Sequence, residues 1–310
     1  MHAETIVKAA ARIAKKVKAS AILILTETGE GYDFMADGRP DIPVIVATAN
    51  DETFKKILNT SPKASTVDLT KAKPSKKKNV KTYAIKLMTR GMSRTDQIAD
   101  AIVVAMQKGI LNEDDTITIV GSTLAGEADS LFIYKIDKEK LDSTIYDLIK
   151  KTDIGEEAFE IAVNIALEIG KEGREGRLIG TAFLIGDSKK VLENSTQLIL
   201  NPFEGHVVED RTITNPDISE TVKEFAQLEG VFVISKDGVI EAAGRYLDVD
   251  TSEVDIPRGL GTRHAAVAAM TVASNAIGVA VSQSGGIVRI FKNGEVVMRI
   301  EPQRRISLKN

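Results

Sequence analysis

Two stretches of this chain are apolar at every position, Ala21–Leu25 and Val44–Ala47. A strand with one wet face alternates apolar and polar residues, so an unbroken run asks for cover on both faces. Amphipathic segments flank these runs. Residues 4–18 put Ile6, Ala10, Ile13, Ala14 and Val17 on one helical face. Asn50 and Asp51 can cap a helix that reaches Leu58. Gly29 and Gly31 mark a turn after the first run. Strand, helix, strand in this order predicts a mostly parallel sheet with helices. Thr82–Met88, 116–120 and 131–136 read as further strands, and Ser93 as the cap of a helix through Ala105 carrying Ile98, Ile102 and Val103.

The second half has another texture. Residues 137–176 read as helical and charged, with Phe159, Ala162, Val163, Ala166 and Ile169 at helical spacing and Gly170, Gly173 and Gly176 closing the segment. Strand-like runs follow at 178–185, 231–235, 239–243, 277–282, 287–291 and 295–300, with helices expected at 188–194, 217–228 and 262–275. Lys236-Asp237-Gly238 and Lys292-Asn293-Gly294 each sit between two strands, where such turns make hairpins. This predicts a mixed sheet with helices. At 310 residues and a usual domain of about 150, the chain is expected to divide into residues 1–150 and 151–310, with the link near 140–155. The fold class is therefore α/β in both halves.

Composition removes several functions. There is no cysteine, so disulfides, thiolate zinc sites and a cysteine nucleophile are excluded. The three histidines are His2, His206 and His264, and a three-histidine metal site would need the one at the N-terminus. Lys+Arg 41 against Asp+Glu 44 argues against a dedicated nucleic-acid binder. The stretch Lys71–Lys81 holds six lysines and no acid. It reads as a solvated loop or as a phosphate- or nucleic-acid-binding patch. No apolar run approaches the ~20 residues of a membrane span, and the N-terminus lacks the apolar block of a signal peptide. A soluble, cytoplasmic protein is expected, with neither membrane nor nucleic acid as its partner.

The densest glycine-polar cluster is Pro257-Arg258-Gly259-Leu260-Gly261-Thr262-Arg263-His264, leading into an alanine-rich helix. Backbone N–H groups and the positive end of the helix dipole converge at such a junction. Thr262 can cap and donate, and Arg263 and His264 add side-chain donors. A polyphosphate fits there; so does an ordinary capped helix with surface Arg and His. The loop matches neither the Walker pattern nor GxGxxG.

Gly261-Thr262-Arg263-His264, with the helix after it and VAVSQSGGIVRIF beyond, resembles the nucleotidyl-transfer domain of diadenylate cyclases. That family reads Gly-Thr-Arg-His-Arg here and carries Asp-Gly-Ala before an upstream strand. The matching site in this chain is Glu229-Gly230-Val231. Asp237-Gly238-Val239 is a decoy, explained by hairpin geometry. The blocks GTAFLIGD, NPFEGH, ETVKEFA and AAGRYL resemble the archaeal-type members, whose N-terminal domain is similar to the C-terminal domain of pyruvate kinase. Residues 1–136 fit that domain in element order. Five positions depart from the pattern: Glu229 replaces aspartate, Ala265 replaces the second arginine, Gln283 stands where many relatives have an acid, and Glu30-Gly31 stand where the pyruvate kinase loop has Arg-Thr.

The resemblance implies condensation of two ATP into cyclic di-AMP and two pyrophosphates. It implies a divalent ion, Mn2+ with Mg2+ as the other candidate, held by Glu229. It implies Glu229, Arg263 and His264 as catalytic residues, and ATP bound by Gly230, Val231, Leu260, Gly261, Thr262, Arg263, His264 and Ser282, with Gly285-Gly286 bordering the nucleotide. Two protomers must face each other, because one site holding one ATP cannot close the ring. Arg258 or Arg245 could replace the charge missing at Ala265. Tyr246 is expected to pack near the site, and His206 to make a loop hydrogen bond. The N-terminal domain is expected to regulate or oligomerise. The alternative is a regulator that binds ATP or cyclic di-AMP without turnover.

Overall fold

The computed structural model describes residues 2–37, 41–60, 81–87, 94–121, 128–137, 148–149, 152–174, 177–252, 254–257 and 259–302. The sequence features at Lys71–Val80, Met88, Gly91, Ser93, 138–147, Gly176 and Arg258 lie outside them. Contacts divide the chain into a unit within 1–146 and a unit within 147–310.

The first unit is a five-stranded sheet in the order β3-β2-β1-β4-β5. Its strands are β1 (Ala21–Leu25), β2 (Val44–Thr48), β3 (Thr82–Lys86), β4 (Thr116–Gly121) and β5 (Ser130–Lys135). The first four pair in parallel and β5 closes the edge antiparallel. The all-apolar runs work as expected, because successive side chains on a strand point to opposite faces. Leu23 and Leu25 of β1 join Ile45, Ala47, Ala101, Ile102 and Ala105 on one side. Ile22 and Ile24 join Val44, Val46, Val7, Ala10, Ala14 and Ile57 on the other. Helices α1 (His2–Lys16), α2 (Glu30–Asp37) and α3 (Asp51–Thr60) cover the second face and α4 (Arg94–Gln107) the first. Only Gly29 makes the predicted turn, at φ +83. Gly31 instead lies within α2, facing Ile24, where a Cβ would come within 3.3 Å of Ile24 Cγ2.

The second unit is a seven-stranded mixed sheet in the order β12-β11-β10-β6-β8-β9-β7. Its strands are β6 (Thr181–Gly186), β7 (Ser195–Gln197), β8 (Val231–Ser235), β9 (Ile240–Leu247), β10 (Ile277–Val281), β11 (Val288–Lys292) and β12 (Glu295–Ile300). Only β6 and β8 are parallel neighbours; the other pairs are antiparallel. Asn293 and Gly294 take φ +51 and +83 between β11 and β12, the signature of a two-residue hairpin turn. Gly238, at φ +87, turns the β8–β9 hairpin, the decoy's geometric role.

Helices α5 (Glu156–Glu172), α6 (Ser188–Glu193), α7 (Ile218–Phe225) and α8 (Thr262–Ala273) complete the unit. Helix α5 packs on β6, β10, β11 and α7 within this unit. It does not end at Gly170, which is helical and lies against the backbone of Gly286; Gly173 is its C-cap. On α8, Val267, Ala268 and Met270 pack with Ala182, Leu184, Val231, Val233 and Phe291. Gly278 sets how near α8 lies to β10: a Cβ there would fall 2.3 Å from Val267 Cγ1. No helix among the described residues is long and apolar enough to cross a membrane.

Candidate active site

The mixed topology brings alternate strand ends to one edge of the second sheet. Parallel β6 and β8 begin there, at Gly180 and Glu229–Gly230. Antiparallel β9 and β10 end there, at Arg245–Leu247 and Val281–Ser282, and β11 starts there. Helix α8 begins over the same edge, and together these segments line a cleft of about 840 Å3.

Glu229 and Gly230 connect α7 to β8. Gly230 has φ +97, and a Cβ on it would meet Gly244 C at 2.6 Å and Arg245 N at 2.7 Å. Only glycine lets the chain turn so close to β9, and this turn sends the Glu229 side chain to the cleft mouth. Arg263 reaches it from the first turn of α8. Its Nη1 donates to Gly180 O at 2.6 Å and its Nη2 to Glu229 Oε2 at 3.3 Å. One guanidinium thus spans the starts of both parallel strands. The Glu229 side chain is 85% exposed, so its carboxylate stays open to an incoming group.

The N-cap of α8 is Gly261, extended at φ -76 and ψ 171 with no side-chain cap. Thr262 is not the cap expected from sequence but the first helical residue. Glycine leaves this corner empty, with nothing within 4 Å of where a Cβ would stand. The N–H groups that a helix start leaves unpaired face outward there. Leu260, Gly230 and Val231 also line the cleft. His264 is 7% exposed. Its Nε2 lies 3.1 Å from Ser282 Oγ, and Arg289 Nη1 donates to that same oxygen at 2.6 Å. With Arg289 donating, the Ser282 hydroxyl proton can point to Nε2, which puts the imidazole proton on Nδ1. Burial first, then Arg289 and Arg263, lower the His264 pKa from 6.5 to about 4. His264 therefore enters the wall as a neutral ring, not as a cation for phosphate.

Arg245 is not the replacement charge for Ala265. It donates to Ser195 Oγ at 3.0 Å, to Leu192 O at 2.8 Å, to Gln197 Oε1 at 3.4 Å and to Ser195 O, tying β9 to α6 and β7. Tyr246 is 57% exposed rather than packed. It pairs across from Thr196, which places it on the same face as half-exposed Leu198; both line the cleft. His206 is exposed in its loop, and Gly285 and Gly286 are not among the cleft-lining residues. Sequence reasoning missed Leu198, because β7 is only three residues long. It also missed Gly180 and Arg289, whose sole signal is a charged residue alternating with buried Val288 and Ile290.

No cluster of three or more metal-ligating side chains occurs among the described residues. Glu229 is the carboxylate at the cleft mouth. A single carboxylate with substrate phosphates supplying further oxygens is a known way to hold Mg2+, so the donor set fits an ion that arrives with a nucleotide.

Comparison with known proteins matches this architecture unit by unit. Residues 168–296 match the family described as DisA bacterial checkpoint controller nucleotide-binding, and residues 4–136 match the pyruvate kinase alpha/beta domain. A diadenylate cyclase of Methanocaldococcus jannaschii is 33% identical over 99% of this chain and 99% of its own length. A diadenylate cyclase of Haloferax volcanii is 38% identical over 67% of this chain and 76% of its own. A solved pyruvate kinase structure from Cryptosporidium parvum aligns with 44% of this chain and 23% of that one, at 19% identity and a TM-score of 0.34. With a relative this similar along the length of both units, the chain belongs to the diadenylate cyclase family.

Proposed function

We propose that this protein condenses two ATP molecules into cyclic di-AMP, releasing two pyrophosphates. The observation that carries the reading is the meeting of Arg263 and Glu229 beside the empty N-terminal corner of α8. There a triphosphate finds a guanidinium and helix N–H groups, and a ribose hydroxyl finds a carboxylate.

The 3′-oxygen of one ATP attacks the α-phosphorus of the other. A new O–P bond forms, the bond between the α-phosphorus and its bridging oxygen breaks, and pyrophosphate leaves. Glu229 accepts the hydroxyl proton. The same exchange in the opposite sense closes the ring. Arg263 and the first turn of α8 offset charge that grows on the phosphates, the electrostatic role that a fixed site performs best. Tyr246 and Leu198 offer a flat aromatic and an apolar side chain to the purine. Neutral His264 holds the wall through Ser282. Since each cleft presents one such set, two protomers face each other and each holds one ATP.

Glu229, together with the phosphates, would hold a divalent ion, Mn2+ or Mg2+. Such an ion supplies phosphate charge neutralisation and polarises the attacking hydroxyl.

The test is incubation of the full chain with ATP and Mn2+, with chromatography of the products. Cyclic di-AMP with two pyrophosphates per molecule is expected, at a rate per protomer that rises with protein concentration. ATP binding without product would favour the regulator that binds and does not turn over.

A further inference from the structure

The cleft contains a cation without a counterion. Arg289 on β11 lines it, and among the described residues no carboxylate pairs with its guanidinium. One hydrogen bond, to Ser282 Oγ, occupies one of its five N–H donors. Directly opposite on β12 stands a second arginine, since Arg289 registers with Arg299. Arg299 has its own acid, Glu301; Arg289 does not. Like charges facing each other across a strand pair destabilise it, and a half-buried unpaired charge adds a desolvation cost. Burial, and then Arg299, accordingly push the Arg289 guanidinium below its usual value. Among the described residues, the other arginines lining the cleft are committed, Arg263 to Gly180 O and Glu229, and Arg245 to the backbone of α6 and β7. Ala265, on the first turn of α8, brings no charge.

We propose that Arg289 binds the phosphate chain of the nucleotide, entering from β11 to supply the second cation that the first turn of α8 does not provide. The assignment rests on the reading of the cleft as an ATP site and adds a residue to it. It makes Arg289 a phosphate-binding group whose hydrogen bond to Ser282 also holds its fork toward the cleft. It predicts that its contribution scales with the number of phosphates.

The experiment is calorimetric binding of α,β-methylene-ATP and of AMP to the full-length chain and to its Arg289→Met, Arg289→Lys and Ser282→Ala variants. Arg289→Met is expected to weaken the triphosphate analogue about 10- to 100-fold, the scale of a lost charge-assisted contact, and AMP far less. Arg289→Lys is expected to recover part of the triphosphate preference, and Ser282→Ala, which removes the acceptor that orients the fork, to lose part of it. Removing the like-charge partner of Arg299 should leave the Tm of Arg289→Met unchanged or raised, which shows that the variant is folded. Equal weakening of both nucleotides in Arg289→Met, or undiminished triphosphate binding, overturns the proposal. Should Arg289→Met fail to fold, an Arg289→Lys variant with no triphosphate preference at either low or high salt overturns it, and one that keeps a salt-sensitive preference supports it. A wild-type chain that makes cyclic di-AMP while Arg289→Met keeps its preference removes Arg289 alone. A wild-type chain that binds the triphosphate through Arg289 but forms no product removes turnover and leaves Arg289 in place. A wild-type chain with no triphosphate preference removes both.

Discussion

Arg263 and Glu229 are 34 positions apart in sequence, and their side chains meet at 3.3 Å. The pair bridges a helix start and a strand start, so it places a cation and an anion where two unrelated segments converge. As an ion pair it does little for the fold. Glu229 is so exposed that solvent screens the attraction, and such pairs are worth about 0–1 kcal/mol. Its value is positional. Arg263→Ala should therefore leave the urea midpoint nearly unchanged while lowering kcat/KM for ATP about 100- to 1,000-fold, the cost of removing one preorganised donor. Arg263→Lys should recover little, because a single ammonium cannot reach both Gly180 O and Glu229. Steady-state kinetics beside urea denaturation checks both.

His264 gives the molecule a pH-dependent stability. Its pKa is lowered from 6.5 to about 4 in the folded chain, chiefly by burial. Above 6.5 the ring is neutral in both states and costs nothing. As pH falls through 6.5 the unfolded chain takes up a proton that the folded chain refuses, so stability declines until about pH 4 and then levels. At about 1.4 kcal/mol per unit, the full loss from this one group is at most about 3–4 kcal/mol. Urea melts of wild type and His264→Gln between pH 8 and 4 should show a steeper loss in wild type. Parallel curves would contradict the buried neutral ring.

Two glycines beside the cleft should respond in opposite ways. Gly230→Ala places a Cβ 2.6 Å from the carbonyl carbon of Gly244, at φ +97. This should cost several kcal/mol, about 1–3 of it from backbone strain alone, and yield little folded protein. Gly261→Ala meets open space at an ordinary φ. It should cost under about 1 kcal/mol as a poorer N-cap, yet raise the KM for ATP by filling the corner at the helix start. Thermal melts with ATP titration separate the two.

What could be read from sequence was what is decided locally. Ala21–Leu25 and Val44–Ala47 announce two-sided burial by themselves, and Gly261–His264 carry loop, cap and helix start in adjacent residues. Glu229 is located by the resemblance of Glu229-Gly230-Val231 to the family's Asp-Gly-Ala, with the apolar VFVI run after it fitting the start of β8. The remainder depends on pairing across the sheet. Arg289 reaches Ser282 because β11 returns on β10 with Val288 opposite Val281, and a register shift of one residue would point it to the other face. Tyr246 shares a face with Leu198 only through β7, too short to show a period. Helix α2 was hidden because Gly31, inside it, reads as a turn residue until Ile24 is seen beneath it. The neutrality of His264 follows from burial among residues of β10 and β11, which no local pattern displays.

The central claim is that the Glu229 carboxylate takes the proton from the attacking ribose hydroxyl beside Arg263. Cyclic di-AMP formation by Glu229→Gln measures it most directly, because that change keeps the side chain's size and removes its charge. With ATP-analogue affinity and Tm held near wild type, product formation should fall about 100- to 10,000-fold, the usual contribution of a positioned base. Cyclic di-AMP made by Glu229→Gln at the wild-type rate would contradict the account.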